Sequence, residues 1–190
     1  MNRTIYKLVA LFFSFILLSC SVKGEETDDG NYVKIPLFGN TYVTTEHRYS
    51  VGIGESGITK WKDPAVKYSA WFKVIDEGEL TIALRAKTKG GQSKIKVVVN
   101  GKPFTLTVEN SEWKMLPVGE IKIDAPQYVR VDFEGVEKEK SLFADISDIG
   151  ISGKPAEGPL HYLHDFETYW GRRGPSVHMG YTLPEGKNVE

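Results

Sequence analysis

Cysteine is almost missing from this chain. The single one, Cys20, excludes an intrachain disulfide and any cysteine cage for a metal. Charge of one sign is missing too: 24 Lys plus Arg stand against 25 Asp plus Glu, with a pI near 6.4. That balance removes the basic excess expected of a nucleic-acid binder. No apolar run is long enough to cross a bilayer, since a helix over Leu8–Leu18 would reach roughly 16 Å, about half of the hydrocarbon core. There is no G-x-S-x-G, no H-E-x-x-H and no P-loop, so the common hydrolase, zincin and NTPase signatures are excluded. Beyond residue 20 no segment carries an apolar stripe at helical spacing through three turns. What is present is a 41% hydrophobic, glycine-rich chain, too apolar to be disordered.

The first residues read as an address. Arg3 and Lys7 precede the short apolar run, which ends at Leu17-Leu18-Ser19-Cys20. A basic start, a short apolar core and a small residue before a cut describe a secretory signal over residues 1–19. The last four residues resemble a bacterial lipobox, which implies lipidation at Cys20 and a membrane contact through that anchor alone. The acidic, polar stretch of residues 20–30 then reads as a tether. It is similar to the acidic signal of lipoproteins sent to the outer face of the outer membrane, the expected location.

From residue 31 to 153 the dominant period is two. Val66, Tyr68, Ala70, Phe72 and Val74 share one face, as do Leu80, Ile82, Leu84 and Ala86. Ile95, Val97 and Val99 lead into Asn100-Gly101, a two-residue hairpin signal, and Phe104, Leu106 and Val108 return. Val129, Val131 and Phe133 and a final run near Phe143–Ser152 follow, with less regular strands near Tyr32–Leu37 and Thr41–Thr45. Breakers recur between them: Asp76-Glu77-Gly78, Lys89-Gly90-Gly91, Pro117, Gly119, Pro126 and Gly135. The pattern predicts an all-β fold, an antiparallel jelly-roll sandwich. Residues 154–160 read as a linker and 161–190 as an aromatic-rich C-terminal extension, too short to enclose a core of its own.

Several residues carry chemistry worth testing. Trp61 and Trp113 fall in loops, where a flat ring can be shown to a sugar; Trp71 sits mid-strand opposite the apolar set, facing solvent or a covering segment. Glu46, Lys60 and Arg85 are the polar partners considered with them. Glu46, Asp145 and Asp148 have the hard-oxygen chemistry of a structural calcium site, although solvated strand-edge carboxylates are the commoner arrangement. No other cofactor is expected. Gly52-Ile53-Gly54-Glu55-Ser56-Gly57 matches G-x-G-x-x-G, but a proline follows at Pro64 and no helix pattern does, so it reads as a glycine loop. In the extension, His161, His164 and Asp165 have metal-ligand types, Arg172 and Arg173 could clamp an anion, and Tyr169, Trp170 and His178 complete an aromatic strip. A packing role suits the histidines better than a metal.

Two resemblances follow from these residues. From Gly52 to Gly153, the glycine loop, Ile58-Thr59-Lys60-Trp61, the strand of residues 66–74, Glu77–Ala86, the Trp113 loop and Phe143–Ile149 resemble in order the galactose-binding-like jelly-roll carbohydrate-binding modules. That resemblance implies a glycan partner at the loop end, held by Trp61 and Trp113. Such modules place an asparagine near the last strand, whereas Glu137–Leu142 contains none. The run from His161 to His178 is similar to the junction of bacterial surface lipoproteins that join two uncharacterised domains. It implies that a second domain begins there and is a further partner. Three readings remain: a non-catalytic module that binds or positions carbohydrate, a spacer or docking domain for the downstream domain, and the N-terminal part of a glycan-active hydrolase. No catalytic residue is assigned, and no nucleic acid is expected.

Overall fold

A computed structural model describes residues 30–44 and 52–162. In chain order the first strands are β1 (Val33–Pro36), β2 (Thr41–Val43), β3 (Ile53–Gly54), β4 (Gly57–Ile58), β5 (Tyr68–Val74) and β6 (Gly78–Lys87). Then come β7 (Ser93–Val99), β8 (Lys102–Val108), β9 (Lys114–Ile123), β10 (Gln127–Lys138) and β11 (Asp145–Ser152). A single helical turn, α1 (Lys154–Glu157), and β12 (Leu160–His161) end the described chain.

Two antiparallel sheets form a jelly-roll sandwich. Sheet A has the order β3-β4-β11-β6-β9, with β1 sharing the β11 edge. Sheet B has the order β12-β5-β10-β7-β8, with β2 sharing the β5 edge. The chain passes between layers at β1–β2, β2–β3, β4–β5, β5–β6, β6–β7, β8–β9, β9–β10, β10–β11 and β11–β12. Alternation dictates which side chains meet. Leu80, Ile82 and Leu84 from sheet A and Phe72, Val97, Val131 and Phe133 from sheet B are all fully buried in one cluster. Each contributes about 1.5–3 kcal/mol on burial, so a one-residue slip that turned a strand over would cost the whole set. The β7–β8 hairpin turns at Asn100 and Gly101 with φ of 48° and 86°, the positive pair that its sequence signals.

Strand β9 differs from expectation. Pro117 and Gly119 read as breakers, yet both lie within a ten-residue strand. Two circumstances allow this. β9 is the edge of sheet A, where a residue without an N–H leaves no ladder bond unmade, and the register shifts between Ile82 and Ala83 beside it. Gly119 has its own reason, because a Cβ there would collide with the ring of Phe104, which closes the sandwich between β8 and β9.

The segment of residues 154–160, expected as a linker, is instead sealed to the sandwich. Gly153, at φ 96°, lets the chain turn, and Pro155 starts α1, which buries Pro155 and Ala156. Leu160 and His161 then pair with Val74 and Lys73, adding β12 to sheet B. The folded body therefore runs past residue 153 to the end of the described chain. Among the described residues no helix is long and apolar enough to cross a membrane.

Candidate functional site

The two loop tryptophans do not act as a pair. Trp61 is 1% exposed and lies inside the core. Its ring meets Tyr68 edge-on at 5.2 Å and Phe143 at 4.9 Å, and its Nε1 donates to the Asp63 carbonyl at 3.0 Å. The backbone holds it there: the Phe143 N–H donates to the Trp61 carbonyl at 2.8 Å. A buried aromatic with its N–H satisfied is a packing residue, so the expectation of a sugar platform at Trp61 is corrected. Burial also pushes the Tyr68 phenol up to about 12.

Trp113 is presented differently. It is half-buried and stands just before β9, above the outward-facing row of β6. The Arg85 guanidinium lies 5.3 Å from its ring centroid and the Lys87 ammonium 4.7 Å. These side chains are two residues apart on one strand and so share the outer face of sheet A. The loop is pinned rather than loose. Asn110 Nδ2 donates to the carbonyls of Ala86 at 2.8 Å and Glu112 at 2.7 Å, and Thr88 N–H donates to the Asn110 carbonyl at 2.8 Å. Arg85 Nη1 is 3.5 Å from Ser147 Oγ, and that hydroxyl donates to Asp148 Oδ2 at 2.6 Å. The result is an aromatic ring with two cations over it, and with a hydroxyl and a carboxylate next to Arg85. Arg85 and Trp113, singled out separately in the sequence, are brought together. Lys87 and Asn110 were missed. Lys87 could have been found as the next outward position after Arg85, and Asn110 as a turn-forming side chain before the loop tryptophan.

Trp71 lies on the opposite outer face, that of sheet B. It is half-buried, edge-on to Tyr42 of β2 at 5.6 Å and beneath the Arg130 guanidinium at 5.4 Å. Arg130 is held by Asp132, its Nε donating to Oδ1 at 2.8 Å, and the fully buried Ser69 hydroxyl donates to the same oxygen.

The remaining candidates scatter. Lys60 is exposed, with φ 55°, in the loop that leads from β4 into the buried Trp61. Asp145 is 4% exposed: its Oδ2 faces Lys89 at 3.7 Å and its Oδ1 has no hydrogen-bond partner. Asp148 is engaged by Ser147, so the two aspartates have separate partners. Among the described residues no group of three or more His, Cys, Asp or Glu is placed to hold a metal ion. His161 is exposed on β12. Cys20, Glu46, His164, Asp165, Tyr169, Trp170, Arg172, Arg173 and His178 lie outside the described residues. The G-x-G-x-x-G run forms the β3–β4 hairpin, with Gly57 at φ 84° packed against the Ile146 carbonyl of β11, and no helix follows it.

Residues 35–156 match the family described as "Domain of unknown function (DUF5077)", and the chain belongs to that family. No curated protein matches the chain. Among solved structures, it is similar to the Podospora anserina GH26-CBM35 β-(1,4)-mannanase, with TM-score 0.47 and 16% identity over 67% of this chain and 29% of that one. The chain thus spans less than a third of that enzyme. It is also similar to the CBM35 from Cellvibrio japonicus Abf62, with TM-score 0.44 and 12% identity over 68% of this chain and 96% of that one. A family 35 carbohydrate-binding module from an environmental isolate gives 0.43 and 16% over 70% and 90%.

Proposed function

We propose that this family member is a non-catalytic module that holds carbohydrate at the Trp113 cluster. The observation that carries the reading is the pinned Trp113 ring with Arg85 and Lys87 at 5.3 and 4.7 Å. A pyranose presents a patch of C–H groups that suits an aromatic face and a rim of hydroxyls that suits charged donors. The loop geometry is set before the ligand arrives, so little ordering cost is left to binding. One stacked ring contributes about 0.5–1.5 kcal/mol, which fits affinity in the micromolar range or weaker. Replacing Trp113 with Ala abolishes retardation in native gels containing the bound neutral polysaccharide while the thermal midpoint stays nearly unchanged. An equal loss of stability would assign the ring to packing instead.

The same proposal includes the setting. Cys20 carries the lipid, residues 20–30 are the tether, and the sandwich is displayed from the outer membrane. The run that follows β12, through His178, opens a second domain to which the module delivers its glycan. Support for this comes from the lipobox-like Leu17-Leu18-Ser19-Cys20 and from the lone position of that cysteine.

A further inference from the structure

We propose that the outer face of sheet B is a second saccharide-binding surface, built for an acidic polysaccharide and independent of the Trp113 cluster. Its centre is a square of side chains on two neighbouring strands. On β5 Trp71 and Lys73 point outward, and on β10 Tyr128 and Arg130 do so, with Trp71 opposite Arg130 and Lys73 opposite Tyr128. Rings therefore occupy one diagonal and cations the other. Each cation lies over the ring facing it: Arg130 is 5.4 Å from the Trp71 centroid and Lys73 is 5.6 Å from that of Tyr128. All four side chains are half-buried, so each keeps an open side.

Charge across the face names the ligand. Its carboxylates are already engaged: Glu134 sits between Lys67 at 3.3 Å and Lys96 at 3.5 Å, Glu137 faces Lys94 at 2.9 Å, and Asp132 holds Arg130. Lys73 lies between the Tyr128 ring and His161 of β12 with no carboxylate among the described residues paired to it, and Arg130 spends its Nε on Asp132 while its side chain stays 41% exposed. The face thus carries a surplus of positive charge beside aromatic rings, on a chain whose overall charge is −1. A sugar ring stacked on Trp71 or Tyr128 brings an anionic substituent against Arg130 and Lys73, whose charges reach it through partly screened solvent. Arg130 is pre-set for this by Asp132, which in turn is fixed by Ser69, its cross-strand neighbour on β5.

The test uses the full chain in native affinity gels cast with polygalacturonate, dextran sulfate or unmodified dextran. Retardation by at least one acidic polymer and not by dextran is expected, and the two acidic arms tell carboxylate from sulfate ester. Lys73→Gln and Trp71→Ala each weaken it about tenfold, a loss of about 1.4 kcal/mol. Raising NaCl from about 50 to about 500 mM weakens it further. Trp113→Ala and the control Lys122→Gln, on the exposed edge of sheet A, leave it intact. Lys73 is a surface side chain, so Lys73→Gln reads binding even where Trp71→Ala loses stability. No retardation by either acidic polymer, or retardation that survives both Lys73→Gln and Trp71→Ala, overturns the proposal. Loss in Trp113→Ala alone overturns it too. The reading of the Trp113 cluster fails separately, when Trp113→Ala leaves neutral-polysaccharide binding untouched.

Discussion

Replacing Trp61 with Ala separates a core tryptophan from a displayed one. The ring is 1% exposed and wedged between Tyr68 and Phe143, so truncation leaves a large cavity in the middle of the loop end. Phe/Trp→Ala changes in cores cost about 3–5 kcal/mol. For a domain of this size that is a fall of about 10–20 °C in thermal midpoint. Trp61→Phe keeps a ring against both neighbours and gives up mainly the 3.0 Å bond from Nε1 to the Asp63 carbonyl, a cost of about 1–2 kcal/mol. Trp113→Ala, at a half-buried ring outside the core, costs about 1 kcal/mol. Urea unfolding of the three variants gives these values directly, provided that the slope with denaturant is unchanged. Trp61→Ala within about 1 kcal/mol of wild type would refute the placement of that ring, and so would a larger loss in Trp113→Ala.

Two further outcomes are expected. The neutral Tyr68 phenol is the form the folded state favours, with its pKa raised from 10.0 to about 12. That stabilisation is complete below pH 10 and is lost as pH rises toward 12, so unfolding free energy should fall less steeply across this window in Tyr68→Phe; parallel slopes would remove Tyr68 as the cause. Cys20→Ser should move the protein from the detergent-extracted membrane fraction to the soluble fraction; unchanged partitioning would exclude lipidation there.

The parts of the fold that depend on alternation were legible before any coordinates. Tyr68, Ala70, Phe72 and Val74 are buried as the period of two requires, and Asn100-Gly101 turns where it should. What was hidden depends on neighbours distant in sequence. Pro117 and Gly119 look like breakers until β9 is seen to be an edge and Phe104 is seen to fill the space over Gly119. Trp61 lies in a loop, and the bond from Phe143 N–H and the ring contacts with Tyr68 and Phe143, distant in sequence, turn this loop inward. Outward positions were harder still. Arg85 and Trp113 could be named, but their contact depends on the Asn110 pin, and the square of Trp71, Lys73, Tyr128 and Arg130 exists only once the β5–β10 register is known.

The two clusters stand on opposite sides of the sandwich, and this constrains how they act together. Trp113 contacts the outward row of β6 in sheet A, whereas Trp71 faces outward from β5 in sheet B. Packed sheets are about 10 Å apart, and both clusters project away from the core between them. One sugar unit cannot touch both. Their contributions to binding a short oligosaccharide are therefore separate, and losses in a Trp71→Ala, Trp113→Ala double variant should add to within about 0.5 kcal/mol.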